Sequence, residues 1–241
     1  MFKYELKELA NISKEIGYKY IFPTDNTHEE FKKFVRCIIN IDENADLNWI
    51  DTSNITDLRE LFYKTKFNGN ISEWDVSSVK VFCDVFHDCI FNGDISKWNT
   101  VNAIDMYGLF AESYFNGDIS NWDVSNVLRM ERMFSLSKFN RDISNWKVRK
   151  VTNMESMFNN SVFNGDISNW HVSNVKNMSF MFNKARFNGD ISKWNVSKVC
   201  NMNRMFYYAD FNKDLSGWKI KKDCQTIDAF NGTPLEINVK L

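Results

Sequence analysis

A repeat of 24 residues constrains this chain more than any other feature in it. All eight tryptophans fall in one slot: Trp49, Trp74, Trp98, Trp122, Trp146, Trp170, Trp194 and Trp218. The first interval is 25 residues and the other six are 24. A second slot holds Phe62, Phe86, Phe110, Phe134, Phe158, Phe182, Phe206 and Phe230, and a third runs from Phe67 to Phe211. Nine of the ten methionines also occupy two slots, as in the Met154/Met157 and Met178/Met181 pairs. A fixed period of this length marks a stack in which each unit packs on its two neighbours. The fold class expected is an α/β solenoid of about eight repeats over residues 44–230, with a helical cap at 1–43 and a tail or cap at 231–241.

One unit, Phe163 to Phe182, reads FNGDISNWHVSNVKNMSFMF. Its Asn164-Gly165 pair is a turn signal, since glycine reaches positive φ without steric cost. Asn140-Arg141 and Asn212-Lys213 depart from that pair, and a slightly strained turn is expected there. Trp170 and Val172 lie two apart and face one side of a short strand. Val175, Met178, Met181 and Phe182 are spaced for a short helical return. The aromatic slots keep regular company with Val, Ile and Met, which reads as core. Upstream, Thr27 and Glu30 form a capping-box pattern. It precedes an apolar stripe of Phe31, Phe34, Val35, Ile38 and Ile39. Pro23 separates this helix from an earlier one around Glu5–Lys14.

The charge balance is even, with 30 Lys and Arg against 31 Asp and Glu. That disfavours nucleic acid as a partner. No apolar run is long enough to insert in a membrane. The opening residues lack the apolar core of a secretory signal, so the chain's own residues point to the cytoplasm. Five cysteines imply no complete disulfide framework. Cys89 reads as a small buried side chain; Cys200 and Cys224 share a slot and read as free thiols, a disulfide being the alternative. His28, His87 and His171 fall in unrelated slots, no phosphate loop or dinucleotide fingerprint occurs, and no catalytic residue, metal or other cofactor is expected. Asp94, Asp118, Asp142, Asp166, Asp190 and Asp214 form a carboxylate row, with Asn70 in the first unit. It either binds calcium or accepts hydrogen bonds from backbone N–H groups of its own turns. Asn70 fits the second reading, because it accepts in the same way without charge.

The slots flanking tryptophan vary and point outward. Before it stand Glu73, Lys97, Asn121, Asn145, Asn169 and Lys193; after it stand Asp75, Asn99, Asp123, Lys147, His171, Asn195 and Lys219. This polar strip is the candidate binding face, and a merely solvated face is the alternative. It becomes more basic toward the C-terminus, through Lys147, Arg149 and Lys150 and then Lys219, Lys221 and Lys222. That gradient points to an acidic partner.

The unit at Phe115–Phe134, FNGDISNWDVSNV…M..MF, resembles the BspA-like leucine-rich-repeat surface-protein family, and the stretch Asp46 to Leu58 looks like that family's usual first unit. The match covers residues 46–230. The resemblance implies a leucine-rich-repeat-like curved solenoid, with one short parallel strand and one helical return per repeat. It also implies a non-catalytic scaffold for protein–protein or cell-surface interaction, adhesin-like, whose partner is another protein or a host surface component. Members are often exported, and the motif carries no catalytic residues to transfer. An intracellular adaptor and a self-associating structural protein are the alternative readings.

Overall fold

Each repeat unit is made of turns, because Asx side chains close them. In the unit around Trp170, Asp166 Oδ1 accepts the Ser168 N–H at 2.9 Å and Asn177 Oδ1 accepts the Ser179 N–H at 3.0 Å. Asn and Asp favour such turns by offering the backbone an acceptor two residues away. Backbone bonds close others, from Trp170 N–H to the Ile167 carbonyl at 3.1 Å and from Val175 N–H to Val172 at 2.9 Å. The structure, a computed structural model, describes residues 19–22 and 28–234, with positions 8, 11, 15 and 17. The Thr27 cap, most of the Glu5–Lys14 stretch and the tail from Leu235 lie outside the described residues.

The return segment differs from the expected helix. No helix falls between residues 44 and 234. In one unit Met154, Ser156, Phe158 and Asn160 donate their N–H groups to the carbonyls of Asn177, Ser179, Met181 and Asn183 in the next unit, at 2.7–3.0 Å. The residues between them, Met157, Asn159 and Ser161, donate back three positions within their own unit. A helix would direct all of these amides along its own axis. Here every second amide is turned out to the neighbour, and a left-handed backbone does the turning: Ser156 and Asn160 have φ of 56° and 52°. The same two slots are left-handed in every unit, from Glu60 and Lys64 to Asp228 and Gly232. Glycine fills only two of these positions, Gly108 and Gly232.

The expected strand beside tryptophan is also absent. The two residues before Trp170 are turn, and the extended contact comes later, as single parallel bridges. These run without interruption from Asp57 through Val81, Asp105, Arg129, Asn153, Asn177 and Asn201 to Gln225, each partner 24 residues on. Successive turns leave no run of extended residues long enough for a strand.

Two strands, β1 (Tyr20–Ile21) and β2 (Ile50–Asp51), pair in parallel, with Tyr20 opposite Ile50. Between them lies α1 (His28–Ile39), which has Glu29 and Glu30 in its first turn and Arg36 in its last, as the helix dipole favours. Its buried face is Phe31, Val35, Ile38 and Ile39. Phe31 packs against Trp74 and Phe34 against Trp49, each with ring centres 6.2 Å apart. Arg36 donates to the carbonyls of Glu60, Leu61 and Tyr63 at 2.7–3.2 Å. Leu61 and Tyr63 occupy the slots of Val85 and His87, whose carbonyls accept from the unit before them. The guanidinium thus serves carbonyls of the first unit that no preceding unit reaches.

The core is three aromatic rows. The Phe62 row is stacked at centroid distances of 5.4–5.8 Å down to Phe230. The Phe67 row follows at 5.8–6.3 Å down to Phe211. Tryptophans stack at 6.2–6.5 Å, as in Trp98–Trp122 and Trp170–Trp194. Offset stacks of this kind are worth about 0.5–1.5 kcal/mol per pair beyond area burial. From Trp74 to Trp218 each indole also donates to a carbonyl one unit back, such as Trp170 to Ile143 at 3.0 Å, so its polar atom is satisfied inside the core.

Asn-Gly does a different job from the one expected of it. Gly165 is not at positive φ; a Cβ there would stand 2.9 Å from the Phe163 ring. The glycine makes room for that ring. Where Lys213 replaces it, the ring tilts: Phe206–Phe211 meet at 25°, against 9–17° in the other units, that of Arg141 included. Neither Arg141 nor Lys213 is at positive φ, so neither turn carries the expected strain, and the change shows as a ring rotation at Lys213. The asparagine ties units together, since its Oδ1 accepts the N–H of the next Asn in the row at 2.8–3.0 Å from Asn68 to Asn212.

Two substitutions test this account by chemical denaturation. Phe158→Ala, in mid-stack, is expected to cost about 3–5 kcal/mol through the cavity it leaves. Leu136→Gly is expected to raise stability by about 0.5 kcal/mol, because this exposed leucine is held at φ 58°.

Candidate functional site

Alternation about the buried tryptophan places the strip in solvent. Trp170 and Val172 are buried, while Asn169 and His171 between and beside them are exposed. All thirteen strip residues, from Glu73 and Asp75 to Lys219, are exposed. The strip is held from beneath by the Trp row and its indole hydrogen bonds, so its side chains stand on a fixed base.

The structure does not gather the thirteen residues into one place. It brings Asn145, Lys147, Asn169 and His171 together in a groove of about 500 Å³, with Arg149 and Lys150 on its wall. No carboxylate lines it. Asn169 and Lys193 share a second hollow of about 450 Å³ with Asp166, Asp190 and the Asn164 and Asn188 amides. Glu73, Asp75, Lys97, Asn99, Asn121, Asp123, Asn195 and Lys219 line neither. Arg149 and Lys150 were visible in the sequence as part of the basic gradient, but they lie beyond the slots flanking tryptophan. A second signal was available three and four residues past the tryptophan. There Asn126 and Asn174 donate to the Val101 and Arg149 carbonyls, while Lys150 and Lys198 cap those same asparagines at 2.7 and 2.8 Å. These ammonium groups are therefore positioned.

Carboxylates near the strip are held ionised by their own turns. Asp123 lies below the usual carboxylate range, first through the Ser125 hydroxyl, then through the Ser125 N–H, with Lys147 adding to it. Asp75 behaves likewise through Ser77. In the carboxylate row, Asp94, Asp118, Asp166, Asp190 and Asp214 are lowered, chiefly by the N–H of the serine two residues on and then by its hydroxyl. Asp142 accepts the Ser144 N–H at 2.8 Å, and Asn70 accepts from Ser72 at 3.2 Å. Among the described residues no group of three His, Cys, Asp or Glu side chains is placed to hold a metal ion.

A second polar cluster lies on the turn ribbon. His87 Nδ1 sits 2.7 Å from Asp84, its Nε2 3.5 Å from Glu112, and Tyr63 packs edge-on against its ring. Cys83 approaches Asp84 at 3.5 Å, but burial first and Asp84 second push its thiol up to about 12. A thiol so raised stays protonated at neutral pH, so it lacks the thiolate a nucleophile needs. Cys200 and Cys224 are free thiols, one exposed and one half-buried. No helix among the described residues is long and apolar enough to cross a membrane.

A family model described as Mycoplasma protein of unknown function, DUF285, matches residues 28–139 and again residues 135–239. No curated protein and no solved structure matches the chain.

The lowered carboxylates set a pH dependence. A depressed folded pKa contributes stability that is present above the unfolded value near roughly 4 and is lost as pH falls through the folded one. Asn keeps the acceptor and removes the titration. In the triple variant Asp118→Asn, Asp166→Asn, Asp190→Asn, the urea midpoint is expected to match the native protein at pH 7 and exceed it at pH 3. An equal fall in both proteins would show that the row does not carry the acid sensitivity.

Proposed function

The chain belongs to the family of Mycoplasma proteins of unknown function, and on that premise we propose that it is a non-catalytic repeat scaffold whose polar strip beside the tryptophans binds another protein or a cell-surface component. The observation that carries this reading is the contrast between adjacent slots. Tryptophan is invariant, buried and hydrogen-bonded, while its two neighbours are exposed and change from Glu73 and Asp75 to Lys193 and Lys219 along the stack. A rigid row that presents varied chemistry is a recognition surface of the kind repeat proteins use. Part of the proposal is that the stack is a solenoid of the leucine-rich-repeat class, BspA-like in its units, with an adhesin-like role. Supporting it are the parallel bridges at a constant 24-residue interval and the hydrogen bonds that each unit makes to the next.

Photo-crosslinking in source cells tests the proposal. A crosslinking residue placed at Asn121, Asn169 or Asn195 is expected to trap a discrete adduct. The same residue at the exposed positions Lys138, Arg186 or Asp210, which share a slot away from the strip, is expected to trap none. Equal adducts from both sets, or none from the strip, would remove the strip as the binding face. An adduct with a second copy of the chain would instead establish self-association.

A further inference from the structure

Resting on the strip as the binding face, we propose that its C-terminal half is a site for a linear sulfated glycan, seated in the groove formed by Asn145, Lys147, Arg149, Lys150, Asn169 and His171. Three observations converge on this chemistry. The first is charge. The groove holds two ammonium groups, a guanidinium and an imidazole with no carboxylate in its lining, in a chain whose net charge is only −1. The surplus is local: beyond it the same face continues with Lys193, Lys198, Lys219, Lys221 and Lys222. The acidic row is close by and stays ionised, but its carboxylates accept from the serines of their own turns at 2.8–3.0 Å and lie outside the groove's lining.

The second is the lack of apolar anchors. The tryptophan floor is at most 9% exposed. Nucleobases therefore find no Trp, Tyr or Phe ring to stack on, only the His171 imidazole and the Arg149 plane, and a protein partner finds no exposed Trp or Tyr anchor of the kind that carries interface energy. What the strip offers is N–H donors on cations and asparagine amides, which suit sulfate oxygens and sugar hydroxyls. The third is shape. At about 500 Å³ the groove has the size of a pocket for a small molecule, room for one or two sugar rings rather than a rigid duplex. It also lies on a surface that repeats by translation at roughly the 5 Å separation of parallel chains. A linear polymer can lie along such a surface and meet the cations of more than one unit, Lys147 and Lys150 in one and His171 in the next. Lys150 Nζ is already fixed on Asn126 Oδ1 at 2.7 Å, so less side-chain entropy is lost when it meets an anion.

The test is calorimetric titration of the full chain with heparin as the probe. Dextran serves as an uncharged control, and a DNA duplex of equal charge as a competing polyanion. Heparin is expected to bind, with affinity falling steeply as salt rises, and dextran is not. The triple variant Lys147→Glu, Arg149→Glu, Lys150→Glu is expected to weaken binding at least tenfold. The variant Lys64→Glu, Lys138→Glu, Lys184→Glu carries the same charge change on exposed positions away from the strip and is expected to bind as the native chain does. Should the first triple unfold, the milder Lys147→Gln, Lys150→Gln pair reads the same contact by a smaller loss. No heparin binding, equal weakening in both triples, or equal affinity for the duplex would overturn the assignment. If strip crosslinks persist in cells while heparin fails to bind, the glycan assignment falls and the scaffold reading stands. Loss of both removes the strip.

Discussion

The structure depends on where alternate amides of the turn ribbon send their hydrogen bonds. In each unit but the last, four N–H groups, such as those of Met154, Ser156, Phe158 and Asn160, reach carbonyls of the following unit. An isolated unit would leave these donors to water and bury its Phe and Trp faces on nothing. The unit is therefore stable only as a member of the stack. Left-handed residues are the cost of aiming those amides outward, about 1 kcal/mol or more at each non-glycine position. The bonds to the neighbour and the stacked rings offset it. The same logic explains the first unit, where Arg36 of α1 donates to carbonyls that lack a preceding unit.

Aromatic stacking and amide pairing reinforce each other because both repeat along one axis. Rings in the Phe62 and Phe67 rows lie nearly parallel from unit to unit, at interplanar angles up to 18°. Such stacking requires successive backbones to be superimposed, and the Asn68–Asn212 row supplies a further bond at each step to hold them so. Tolerance is visible where the pattern lapses. Arg141 and Lys213 take the place of glycine and the stack continues through both, with the Phe211 ring rotated beside Lys213.

Much of this was legible in the sequence, and the parts that were not have physical reasons. Slot regularity identified the core correctly, from Trp49 to Phe230, because burial selects residue type directly. The return segment was misread as helix because apolar spacing of 3, 3 and 1 reports which side chains turn inward, not which carbonyls the amides choose. The left-handed positions were hidden for a related reason. They hold residues as different as Glu60, Arg132, Phe180 and Tyr208, and only Gly108 and Gly232 give a compositional hint. Asn-Gly looked like a positive-φ turn, yet Gly165 is needed for the Phe163 ring, a contact that local turn chemistry does not encode. At the candidate site, alternation correctly exposed every strip residue. It could not show that Lys147 and His171, one unit apart, share a groove with Arg149 and Lys150, because that depends on side chains crossing between units.

A stack of this kind separates what holds it together from what it presents. Slots facing inward are nearly constant, and their bonds run to backbone atoms or to the same slot in the next unit. Outward slots beside tryptophan bond only within their own turn, as Asp75 does to Ser77, so replacing Asp75 by the Lys147 or Lys219 found in the same slot three and six units on gives up that turn bond but leaves the indole, its carbonyl partner and the aromatic rows untouched. Charge on the strip can therefore be set unit by unit at the cost of one turn bond and with the inward contacts kept. A run of like charge along consecutive units then has no stabilising role to explain it, and mutual repulsion among Lys219, Lys221 and Lys222 argues against one. The anionic partner proposed above would supply a physical reason for concentrating cations on the C-terminal half of the strip while the chain as a whole stays near neutrality.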